Sequence, residues 1–282
     1  MIKVALCLFG SVGFKKKPDD ISNEIMNPKF CFNSFKSNLM DLYNTDVFFH
    51  TWSSEYDQDL KNLYKPKDFI IENQINFDND LKNYSFEFIE YYDEVYDLKL
   101  KKIFPKKYYQ NFIFRTKSRW HSQIKSLEIL KKNQIKNQTK YDLIIQSRFD
   151  LFLRKKLELN NLEKNCIHLV NQPNQQVNKL YDILFVSNYE NAMKFTKLKD
   201  KLNKYPICPT DSLPIFFKEE NIITKKTFKF KDIILYRYYL KYYEINILIR
   251  LFNLFISSIL KILSRTINIL KKIFNYLNSI IN

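Results

Sequence analysis

The segment Tyr141–Asp150 (YDLIIQSRFD) is an apolar run that ends in Arg148-Phe149-Asp150. In an extended chain, side chains two residues apart point to the same face, so a guanidinium and a carboxylate would stand together at a strand end. The guanidinium suits a phosphate, and the carboxylate suits a divalent cation or the hydroxyl of a sugar. The same spacing also makes a strand-end ion pair with structural duties only. A carboxylate at a strand end is expected to support charge rather than packing, so replacing Asp150 with Ala should spare the fold.

A second place for chemistry is Cys208-Pro209-Thr210-Asp211-Ser212. Asp211 has the chemistry of a general base toward an acceptor hydroxyl. Equally, Thr210 or Asp211 serves as the cap of a helix beginning near Leu213. Two D-x-D pairs, Asp57-Gln58-Asp59 and Asp78-Asn79-Asp80, sit in polar, turn-like surroundings and read as solvated loop or helix-cap carboxylates. The histidines His50, His121 and His168 show no metal spacing, and Cys7, Cys31, Cys166 and Cys208 lack a C-x-x-C pattern, so no zinc site is expected. No Ser or Cys has a recognisable nucleophile setting, which argues against hydrolase triads.

These residues need elements to position them. Ile2–Phe9, Asp46–Thr51, Asp68–Glu72, Tyr141–Gln146 and Asp182–Val186 are short apolar runs of the kind that form buried parallel strands, with Ile167–Val170 a weaker one. Helix-like stretches lie between them at Asn33–Tyr43, Leu81–Val95, Arg115–Lys132 and Asn191–Leu202. In the third, Trp120, Ile124, Leu127 and Leu130 recur at helical spacing. Strand alternating with helix predicts an α/β fold on a mostly parallel sheet flanked by helices. Thr227–Tyr236 begins strand-like.

The chain has only 2 Gly in 282 residues, too few for a P-loop or a dinucleotide fingerprint. Its formal charge of +16 favours anionic partners. Nucleic acid is not expected among them, because no RNP, zinc-finger or helix-turn-helix pattern occurs and much of the excess charge lies near the C-terminus. From Ile245 to Ile281 polar residues recur every three or four positions among Ile, Leu and Phe, and every charge is basic. The expectation is a long amphipathic helical tail over 241–282, following an α/β domain over 1–240. Arg250, Lys261, Arg265 and Lys271 interrupt it too often for a membrane span. The tail suits an anionic membrane surface through residues 245–281, or a docking face on protein. With no secretory pattern at the N-terminus, the expected location is cytoplasmic, peripheral on the inner face of the cell membrane.

Five stretches in order, Val4–Phe14 (VALCLFGSVGF), Asp46–Ser53 (DVFFHTWS), Phe114–Ser122 (FRTKSRWHS), Tyr141–Leu151 (YDLIIQSRFDL) and Asp182–Asn188 (DILFVSN), together resemble the bacterial capsule and lipopolysaccharide glycosyltransferase-like proteins related to WavE. The resemblance spans roughly the first two hundred residues and omits the tail. It implies a GT-A-like, Rossmann-type fold and transfer of a sugar from a nucleotide-sugar donor to a glycan or lipid-linked acceptor of a surface polysaccharide. It further implies that Gly10, Ser11 and the following loop approach the nucleotide. Arg115, Arg119 and His121 would face the same cleft, and Arg148 and Asp150 would replace the usual D-x-D pair. A divalent cation, Mn or Mg, would then rest on Asp150 with one carboxylate fewer than is usual. Two other activities suit the same segments: transfer of a nucleotide-activated phosphoryl-type group to the same glycan, and a non-catalytic scaffold.

Overall fold

The computed structural model describes residues 2–12, 28–77, 106–172, 180–205 and 209–235, without the side chains of 106–113 and 203. The expected helix Leu81–Val95, the Asp78-Asn79-Asp80 pair, Cys208 and the tail lie outside the described residues. Strands β1 (Lys3–Ser11), β2 (Asn44–Trp52), β3 (Asp68–Glu72), β4 (Leu143–Arg148), β6 (Cys166–Asn171), β7 (Tyr181–Ser187) and β8 (Ile223–Lys229) form one sheet in the order β3-β2-β1-β4-β7-β6-β8. Neighbours are parallel except that β7 runs against both β4 and β6. Two short strands, β5 (Leu151–Leu153) and β9 (Ile233–Leu235), pair separately and antiparallel. The result is a mixed α/β protein with a mostly parallel seven-stranded sheet flanked by helices.

The continuous apolar run of β1 follows from burial on both faces. Val4, Leu6 and Leu8 pack with Phe35, Leu39 and Leu60 from α1 (Pro28–Phe35), the π-helical turn Lys36–Met40 and α2 (Asp57–Tyr64). On the opposite face the smaller Ala5 and Cys7 meet Trp120, Ile124, Leu127 and Leu130 of α3 (Lys106–Asn137). Small side chains under that helix let the Trp120 indole lie against the sheet, where it is fully buried. Burying each such large apolar side chain contributes about 1.5–3 kcal/mol. A buried amide pair, Gln123 Nε2 donating to Gln146 Oε1 at 2.6 Å, fixes α3 against β4. The helix ends at Asn137 and β4 starts at Leu143, so α3 returns the chain from the carboxyl edge of the parallel strands to their amino edge. Its N-terminal half therefore belongs to the carboxyl edge.

Several boundaries differ from the sequence reading. The expected helix Asn33–Tyr43 is two pieces, because Asp41 N–H bonds to Lys36 O and closes a wider turn. The helix expected from Leu213 begins at Pro209 as α6 (Pro209–Glu219), where a proline at the first helical position forfeits no hydrogen bond. Between them, the expected helix Asn191–Leu202 is broken into α4 (Tyr189–Lys194), a 3-10 turn and the short α5 (Leu198–Lys201). Asn188 caps α4 by accepting from Asn191 N–H at 2.9 Å. No helix among the described residues is long and apolar enough to cross a membrane.

Candidate functional site

In open α/β sheets, ligands gather beyond the carboxyl ends of the strands, at the point where the strand order reverses. Here that point lies between β1 and β4. Register pairing sets Phe9 beside His50 on one side and beside Arg148 on the other. The sequence-marked residues divide into two groups along this edge.

The first group follows β4. Arg148 ends the strand, and Phe149 and Asp150 form a turn into β5. Arg148 Nε and Nη2 donate to Asp150 Oδ1 and Oδ2 at 2.7 and 2.6 Å, a bidentate pair. Asp150 is 3% exposed, a burial that sequence reading did not foresee and that gives the carboxylate structural as well as electrostatic weight. Both carboxylate oxygens accept from the guanidinium, so a cation on Asp150 would first have to displace it. The chain beyond the turn is pinned: Ser34 Oγ accepts from Leu153 N–H at 3.1 Å, and Asn38 Nδ2 donates to Leu153 O at 2.8 Å. Arg119, from α3, lies over the Phe9 ring at 5.7 Å and pairs with Asp182 of β7. The antiparallel register Ser147↔Leu184 carries Asp182 toward the same carboxyl edge as Arg148. Leu180 N–H bonds to Thr210 O, which ties the start of α6 to the start of β7. Asp211, in the first turn of α6 and buried, therefore belongs to this edge. Arg115 is exposed on α3.

The second group was not recognised as a group from sequence, although His121 was marked as a donor-site residue. His50 of β2, Glu72 at the end of β3 and His121 of α3 converge, and their ligand atoms lie within 4.8 Å of one another. Glu72 Oε1 is 2.9 Å from both His50 Nε2 and His121 Nε2. His50 Nδ1 lies 2.8 Å from Ser122 Oγ, which accepts from Gly10 N–H at 2.7 Å and sits 3.1 Å from His50 O. The Trp52 ring stacks on His121 at 5.3 Å and meets His50 edge-on at 5.0 Å. Burial pushes His50 down to about 4, so its ring is neutral at pH 7. Burial works the other way on Glu72, but the hydrogen bonds from His50 and His121 win and hold it below the usual carboxylate range. An ionised Glu72 accepts from both imidazoles, which assigns Nε2–H to each ring and makes Ser122 the donor to His50 Nδ1.

Sequence reading found no metal spacing among the histidines, yet the structure brings His50 and His121 together with Glu72 in a group that could hold an ion. They are separated along the chain but joined through β2, β3 and α3. His121 also departs from the cleft shared with Arg119: the two lie two apart on a helix and therefore point to different sides. Gly10 takes φ +104, a conformation that favours glycine, and its amide is engaged by Ser122. Ser11 pairs in register with Trp52 at the end of β1. Asp57 accepts from Ser54 N–H and Ser53 Oγ at the start of α2, as expected of a helix-terminal carboxylate. His168 is a satisfied core residue, bonded to Thr227 Oγ1 at 2.7 Å and Glu163 O at 2.9 Å. A cavity of ≈ 560 Å³ lined by Asn38, Lys155, Leu157, Phe228 and Asp232 contains none of the residues marked by sequence.

No family model and no curated protein matches the chain. Among solved structures it is similar to mouse xyloside xylosyltransferase 1 in its apo form, at 14% identity over 80% of this chain and 85% of that one, with a TM-score of 0.36. It is also similar to the nucleoside-diphosphate-sugar pyrophosphorylase from Vibrio cholerae RC9, at 8% identity over 82% and 94%, with a TM-score of 0.39. Likenesses this distant bear no weight for activity. The class of the molecule rests on its own topology and edge chemistry.

Proposed function

We propose that this chain is a nucleotide-sugar-dependent transferase whose donor diphosphate binds at the β1–β4 switch point. One observation carries the reading: two guanidinium groups, Arg148 and Arg119, flank Phe9 at the carboxyl edge, each oriented by a carboxylate. A guanidinium has five N–H donors and a bidentate carboxylate uses two, so Arg148 retains donors for a phosphate oxygen. Positive charge fixed where a diphosphate departs stabilises the charge that develops on it. Asp211, brought to the same edge by α6, is the proposed base toward the acceptor hydroxyl.

The reading extends, on the resemblance of the five sequence stretches, to a glycosyltransferase acting on a capsule or lipopolysaccharide acceptor. The basic, amphipathic pattern of 245–281 supports work at an anionic leaflet on the cytoplasmic side. Thermal unfolding against UDP, GDP, CDP and CMP, with and without Mn²⁺, tests the donor site. A nucleoside diphosphate is expected to raise Tm in wild type and to lose that effect in Arg148→Lys, which cannot reproduce the planar fork. A preference for CDP or CMP would redirect the reading to phosphoryl-type group transfer. No response to any nucleotide would overturn it in favour of a scaffold.

A further inference from the structure

We propose that His50 Nε2, Glu72 Oε1 and His121 Nε2 form a binding site for one divalent transition ion, with zinc as the best match. The three atoms come from two strand ends and a helix, and Glu72 Oε1 stands 2.9 Å from each imidazole nitrogen. In a tetrahedral zinc site with bonds of ~2.0–2.1 Å, neighbouring ligand atoms are ~3.3 Å apart, so each of these two contacts opens by a few tenths of an ångström to admit the ion, and the two imidazole nitrogens already lie within 4.8 Å of each other. The Glu72 carboxylate between the two imidazole nitrogens brings negative charge to the group, which a cation complements. Imidazole ligands favour zinc, cobalt, nickel or iron over Mg²⁺ and Ca²⁺, which prefer all-oxygen shells.

The surroundings are those of a supported site. Ser122 Oγ holds the other nitrogen of His50, as outer partners of metal-bound histidines do. The ion-free state and the ion-bound state require opposite tautomers of His50. With Nε2 on a metal, Nδ1 must carry the proton and donate to Ser122 Oγ. The serine hydroxyl then needs another acceptor, and His50 O stands 3.1 Å away to receive it. Gly10 N–H donates to Ser122 Oγ in both states. One rotation of one hydroxyl therefore serves both forms without leaving a buried donor unmet. Trp52 fixes the plane of the His121 ring. The His50 side chain is fully buried, whereas Glu72 and His121 keep 34% and 24% of theirs exposed, so the site is open on one side. Three protein ligands with an open position leave room for a water or a ligand oxygen.

Chelator-treated, tag-free full-length protein titrated with Co²⁺ tests this without any nucleotide, so the result is separable from the donor-site reading. One equivalent is expected to give a visible d–d band that Zn²⁺ abolishes and excess Mg²⁺ leaves intact. His121→Ala, at a partly exposed position, should keep the fold by circular dichroism and lose at least ~10-fold in affinity. Ser122→Ala should weaken binding by ~10–100-fold, whereas Ser126→Ala, whose hydroxyl bonds only to its own helix, should not. Absence of the band in wild type, or equal uptake by His121→Ala, would overturn the proposal.

Discussion

Replacing Asp150 with Ala tests how far the carboxyl edge is structural as well as chemical. The Arg148–Asp150 pair makes two short charge-assisted hydrogen bonds, and its side chains are 18% and 5% exposed. Breaking one side of a buried ion pair costs ~3–5 kcal/mol, and the residual exposure of Arg148 lowers the expectation to about 2–4 kcal/mol. With an m-value near ~3 kcal/mol/M, the urea midpoint should fall by ~1 M. A double-mutant cycle of Arg148→Ala and Asp150→Ala isolates the pair term from the packing lost by each change. The control is Lys36–Asp41, which has the closely similar N···O distance of 2.7 Å but side chains 51% and 52% exposed. Its coupling should be under about 1 kcal/mol, because exposed pairs are screened and entropically costly. Equal coupling in the two cycles would refute the argument that burial, rather than distance, sets the worth of the pair. A midpoint for Asp150→Ala within error of wild type would refute it too.

Ser122→Ala removes the shared partner of Gly10 N–H and His50 Nδ1 at a fully buried position, for an expected loss of ~2–4 kcal/mol and a Tm lower by roughly 5–15 °C. Ser126→Ala, equally buried, should cost under about 1 kcal/mol, since Gln123 O keeps its place in the helix ladder. Calorimetry on both variants measures the difference, and equal losses would contradict the bridging role. Burial pushes the thiols of Cys7, Cys31 and Cys166 up, so at pH 8 all three stay protonated. Their peptides should remain unalkylated by iodoacetamide in native protein and react after denaturation, as read by mass spectrometry. Alkylation of Cys7 in the native state would contradict its place beneath α3.

Much of the sheet was legible because burial on both faces leaves a local signature. Apolar runs marked β1, β2, β3, β4 and β7 to within a few residues, and the spacing of Trp120, Ile124, Leu127 and Leu130 marked the buried stripe of α3. The reversed direction of β7 was not legible, since an apolar run carries no sign of direction. Nor were β5 and β9, whose pairing depends on segments far apart along the chain. The Arg148-Phe149-Asp150 segment could be marked at a strand end from sequence, because residues two apart are neighbours whatever surrounds them. Its burial, and hence its structural weight, came from elements distant in sequence, with Phe149 packed against Phe49 of β2 and Tyr64 of α2 while α1 and the π-helical turn pin Leu153 beyond it. His50, Glu72 and His121 had no local signature at all. The register of β3 on β2 and the seating of α3 across the strand ends brought them together. Local order along the chain sufficed for strands, helix faces and adjacent charges. A site assembled from three distant elements exists only once hydrogen-bonded register and helix packing fix their relative positions.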